Sequence, residues 1–148
     1  MTAFSTIEDL ALVTIQDYKL DSLYKSNPTD WETFIAGFVV RASLLFDNSR
    51  VDLSYDLDTL SFNANLGNSE ILVLVYLFIQ MWIERVQQKL SDLVPTMTPS
   101  DAKRTGISTV MKERQEMLNQ MREKTSQLMV DYGKNSVNWQ DWGNGVFN

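Results

Sequence analysis

Nine consecutive residues, Ile71–Ile79, are apolar, and Gln80 is the first break in the run. Extended to Leu90, the stretch ILVLVYLFIQMWIERVQQKL reads as a helix whose first turns are apolar around their whole circumference. Such a helix has to be covered on every side. In a chain of 148 residues it is either the central strut of a small helical domain or the seam of an assembly. It is too short to cross a membrane, which takes about 20 apolar residues, because Gln80, Glu84 and Arg85 end the run early. The opening MTAFSTIEDL has neither the basic region nor the apolar core of a secretory signal, so a soluble protein with no membrane partner is expected.

The chemical inventory points away from catalysis. The chain has no His and no Cys. That removes the side chain that titrates near neutrality, the most ready nucleophile and the common zinc ligand sets. Asp, Glu, Lys, Ser or Tyr can still catalyse, but they need a marked constellation and none is present; no enzyme activity, cofactor or metal is expected. Net charge is −6, unevenly spread: residues 1–60 hold ten acids and four bases, and residues 61–148 hold nine of each. An acidic balance argues against a surface that grips DNA, and solubility is its simplest use.

The expected fold is mainly α: an elongated four-helix bundle with two long C-terminal helices, a short β-hairpin or ordered loop between the second and third, and an extended tail. Residues 1–134 form one domain and 135–148 a C-terminal arm. The first helix is expected from about Thr6 to Tyr24, with Leu10, Val13, Leu20 and Tyr24 as its apolar stripe. Pro28 follows a break, because the residue before proline avoids the helical region. Thr29-Asp30-Trp31-Glu32 then reads as a capping box. It opens a second helix to about Phe46 with Trp31, Phe34, Ile35, Phe38, Ala42 and Leu45 on one stripe. Between Val51 and Asn65 the spacing changes to two: Leu53, Tyr55 and Leu57 alternate with acids, and Leu60, Phe62 and Ala64 with Ser61, Asn63 and Asn65. The third helix opens at Asn68 or Ser69, good capping residues, and runs to about Val94, with Leu74, Phe78 and Trp82 recurring every four residues. Pro95 and Pro99 bracket a loop. The fourth helix is expected from about Ser100 to Tyr132, stopping at Gly133. Ile107, Met111, Leu118, Met121, Leu128 and Tyr132 lie at alternating three and four spacing, with Arg114 and Thr125 as polar gaps. At about 1.5 Å per residue these two helices would reach about 37 and 50 Å, as an antiparallel pair.

Three groups of residues are candidates for contact. Asp52, Asp56 and Asp58 offer oxygen ligands, but their spacing lacks the closing bidentate Glu of an EF-hand. They read as solvent-facing acids and as a candidate partner surface. The bases of the fourth helix are interleaved with Glu113, Glu116 and Glu123, the pattern of a solvated face, and its Met residues (Met111, Met117, Met121 and Met129) read first as core. Trp139, Trp142 and Phe147 stand in a polar tail. They either fold back on the bundle or insert into a neighbour as anchors.

Taken in order, these segments resemble the head–tail connector (adaptor or neck) proteins of tailed bacteriophages. The resemblance lies in the aromatic stripe of the second helix, then Asp52–Asp56 (DLSYD), Phe62–Leu66 (FNANL) and Glu70–Leu72 (EIL), and Trp82 late in the apolar helix. It covers about Leu10 to Val94; Asn68-Ser69 at the cap and the aromatic tail depart from it. The resemblance implies a virion structural protein, assembled in the host cytoplasm. It implies a homo-oligomeric ring, a dodecamer, that binds portal and tail or neck proteins while DNA passes nearby without specific binding. Without the resemblance, the residues fit equally a small cellular helical module that binds a protein through its third and fourth helices.

Overall fold

The computed structural model describes residues 1–15, 28–93 and 107–134. Within them the order is β1 (Thr2–Ala3), α1 (Phe4–Ile15), α2 (Pro28–Leu45), β2 (Tyr55–Asp56), β3 (Ser61–Phe62), α3 (Asn68–Leu93) and α4 (Ile107–Lys134). The described residues are mainly helical, with four helices and one small three-stranded sheet.

The apolar run forms the first half of α3, and α1, α2 and α4 all pack against it. Leu74 and Phe78 are fully buried, and Val73, Val75, Leu77, Ile79 and Met81–Ile83 nearly so. Against α2 the contact is aromatic: the Phe38 ring lies 5.3 Å from Phe78 and 5.7 Å from Trp82, and Phe34 meets Trp82 edge-on at 6.4 Å. The Arg85 guanidinium, 4.4 Å from the Phe34 ring, covers the outer end of this stack with a cation–π contact.

Toward α4 the packing follows a heptad. Met111, Arg114, Leu118, Met121, Thr125, Leu128 and Tyr132, alternately three and four apart, are all turned away from solvent. Leu118, Thr125 and Tyr132 are the buried ones, seven residues apart. A 3.5-residue repeat keeps one seam facing a partner helix. The pair is antiparallel: Gln87 Nε2 donates to the Met111 carbonyl at 3.3 Å, Arg122 bridges to Glu84 at 2.8 Å, and the Tyr132 hydroxyl donates to Glu70 at 2.8 Å.

The sheet ties the chain's start to the segment before α3. β3 is central and antiparallel to both neighbours, with Phe62 opposite Thr2 on one side and Tyr55 on the other. The Phe4 N–H donates to the Leu60 carbonyl at 2.9 Å, and the Leu66 N–H to the Thr2 hydroxyl at 2.8 Å. Phe4, fully buried, packs its ring 5.0 Å from Phe62. Leu60, the last residue of the hairpin turn, sits at φ 47°, a strained region for a branched side chain.

Several sequence expectations change. The first helix starts at Phe4, two residues early, because β1 pairs with β3 and delivers the chain directly into α1. Its buried face is Phe4, Ile7 and Ala11, whereas Leu10 and Val13, expected in the core, are 52% and 72% exposed. Both sets have helical spacing, and packing against α3 selects the one continuous with the sheet. Leu20 and Tyr24 lie outside the described residues. The second helix begins at Pro28, one residue before the expected Thr29 cap; proline suits a first-turn position. Leu45 on its stripe is exposed, and Phe46, just beyond the helix, is buried instead. The fourth helix passes Gly133 to Lys134, and the start expected near Ser100 lies outside the described residues. Thr125 is no gap in its stripe: its hydroxyl donates to the Met121 carbonyl at 2.7 Å, which satisfies it inside the seam. Met117, read as core, faces solvent. The third helix is not covered on every side either, for Leu72 is 45% exposed.

Candidate functional site

The acids of the hairpin are turn builders. Asp52 accepts the Ser54 N–H at 2.9 Å on one carboxylate oxygen and the Ser54 hydroxyl at 2.7 Å on the other. Those bonds, the hydroxyl's first, hold the Asp52 carboxyl below its ordinary pKa. Asp56 accepts the Asp58 N–H at 2.8 Å, the side-chain-to-backbone bond typical of Asp in turns. Asn63 donates to the Ser54 hydroxyl at 3.0 Å and closes the arrangement across the hairpin. Asp52 and Asp58 face solvent and Asp56 is half-buried, so the three carboxylates stand along a turn and converge on no common centre. Among the described residues no group of acids is placed to hold a metal ion.

A second polar cluster closes the C-terminal end of α4. The Tyr132 hydroxyl donates to Glu70 and accepts the Arg50 N–H at 3.1 Å. The Arg50 guanidinium donates to the Tyr132 and Gly133 carbonyls and lies 4.8 Å from the Tyr132 ring. A cation on the last carbonyls of a helix offsets both their missing partners and the negative end of the dipole. Phe46 meets the Tyr132 ring edge-on at 5.1 Å. One tyrosine therefore joins α4, the chain after α2 and the first turn of α3.

Among the described residues three helices surround α3, and an apolar groove of about 600 Å³ lies between α1, α3 and α4. Leu10 of α1, Ile71, Leu72, Val75 and Ile79 of α3 and Met121 of α4 line it. Thr6, Thr14 and Asn68 add polar groups to its lining, and Lys124 is the one charged lining residue among the described residues, with Nζ 4.9 Å from the Tyr76 ring. Its size and lining are those of a binding groove. Sequence reading missed it because Leu10 and Leu72 look like core residues; the signal was an apolar surplus, more apolar residues on α1 and α3 than one packed face of each can bury.

On α1, Glu8 is half-buried at the contact with α2. Burial first, then the negative charges of Asp9 and Glu32, push its pKa up to about 7. The other sequence-derived candidates, Trp139, Trp142 and Phe147, lie outside the described residues. No helix among the described residues is long and apolar enough to cross a membrane. No family model matches this chain, and no curated protein or solved structure matches it either.

Proposed function

We propose that this protein is a virion structural component, a head–tail connector whose copies form a ring joining portal to tail around the DNA channel. The observation that carries the reading is that the segments resembling phage connectors form one continuous unit. Asp52–Asp56 shapes the turn into β2, Phe62–Leu66 runs from β3 to the backbone N–H held by Thr2, and Glu70–Leu72 is the opening of α3. Trp82 lies further along the same helix, packed on Phe34 and Phe38. The long antiparallel pair α3–α4 suits a wall or brace in such a ring. The acidic first 60 residues suit a protein that DNA passes without sticking. A dodecamer is the ring the resemblance implies.

The groove favours one other reading, a small cellular module that takes a partner segment between α1, α3 and α4. Mass decides between them. Analytical ultracentrifugation and negative-stain microscopy of the protein, alone and mixed with a phage portal ring, are expected to show a closed ring of many copies. A species that stays monomeric or dimeric in both settings sinks the connector reading.

A further inference from the structure

The groove between α1, α3 and α4 is apolar, open and placed beside the point where the described chain ends. Tyr132, two residues before Lys134, is hydrogen-bonded to Glu70 in the first turn of α3. Asn68, Ile71 and Leu72 of that same turn form the near end of the groove. From Asn68 to Ile79 the groove follows α3 for about 16 Å at the rise of a helix. Five residues lie between Gly133 and Trp139, and the six steps from one to the other can span about 20 Å when extended. The near end is therefore within the span that this length of chain allows.

We propose that the groove is the seat of the chain's own C-terminal segment, residues 135–148, with Trp139 and Trp142 as the side chains that fill it. Three properties match. The groove offers apolar walls, and two indole rings would remove about 300–500 Å² from water. Its polar lining residues, Thr6, Thr14 and Asn68, supply acceptors for the indole N–H groups, which seek a partner when buried. The charges are complementary: Lys124 is the one charged lining residue among the described residues, and Asp141, between the two tryptophans, is the one ionisable side chain of the segment. The inference does not rest on the connector reading and survives its failure.

The absence of cysteine from the chain makes a direct test clean. Leu72→Cys is paired with Gln140→Cys, which leaves Trp139, Trp142 and Asp141 in place. The control pairs Gln140→Cys with Leu44→Cys. Leu44 is exposed on α2 and lies outside the groove lining. Under mild oxidation the Leu72 pair is expected to form an intramolecular disulfide many times faster than the Leu44 pair, seen as a monomer band and a linked peptide by mass spectrometry. Equal rates, no disulfide, or a linked dimer overturns the proposal, the last by moving the segment to a second copy. In a second measurement, Leu72→Asp, at a half-exposed site, is expected to leave the circular dichroism spectrum unchanged and to raise acrylamide quenching of tryptophan emission several-fold. Trp31 and Trp82 are buried and contribute little to that signal. Quenching unchanged from the parent protein also overturns it.

Discussion

Tyr132 carries more of the tertiary structure than its position near a helix end indicates. Tyr132→Phe keeps the ring against Phe46 but deprives both Glu70 and the Arg50 N–H of a partner. A loss of about 1–2 kcal/mol in urea unfolding is expected; no loss would mean that water replaces the hydroxyl. Glu8 acts in the opposite sense. Its folded pKa near 7 lies above the ordinary 4.5, so folding takes up a proton between those values. The contribution of Glu8 to stability is then fully present below about pH 4.5 and is lost as pH rises through about 7. Glu8→Gln is expected to flatten that decline and to stabilise the protein at pH 8 by about 1 kcal/mol, solvent screening at a half-buried site included. Unfolding curves at pH 5 and pH 8 for both proteins check it. Single residues were also where sequence reading was weakest. In α1 the spacing allows both Phe4-Ile7-Ala11 and Leu10-Val13, and no periodicity ranks two apolar faces of one helix. Thr125 looked like a gap because its hydroxyl is polar, yet a bond to its own helix removes that cost.

At the scale of elements, two opposite kinds of contact hold α3. Phe78 is fully buried, with its ring against Phe38, so Phe78→Ala is expected to cost about 3–5 kcal/mol. The Arg122–Glu84 bridge, although short at 2.8 Å, joins two side chains well exposed to water. Arg122→Ala is therefore expected to cost less than about 1 kcal/mol. Chemical denaturation of the two variants measures both, and a reversal of their order would mean that the α3–α4 seam is held by charge. Elements were more legible than residues. The Asn68 cap and the apolar run located α3 within a residue, and the period-two stretch located β2 and β3, because each signal is long or chemically specific. β1 escaped notice: two residues cannot display a period, and their pairing with β3 is set some sixty residues away. The spacing of Asp52, Asp56 and Asp58 does not reveal that Asp52 and Asp56 serve the hairpin's own backbone.

For the molecule as a whole, α3 is the common partner of the other helices, so its backbone should open last. Amides of Val73–Ile83 are expected to exchange with solvent only through global unfolding, with protection equal to the unfolding free energy from denaturant. Fast exchange there would separate α3 from the cooperative core. The sheet has a different consequence. Its strands are two residues long, and β3 already has a partner on each side. An exposed edge of that length offers a neighbouring chain a hydrogen bond or two, too little to recruit another strand. Among the described residues, copies of this protein therefore have no backbone zipper by which to polymerise. What the described residues offer a neighbour is side chains rather than a strand edge, so such a contact can be tuned or abolished by surface substitutions that leave the fold untouched.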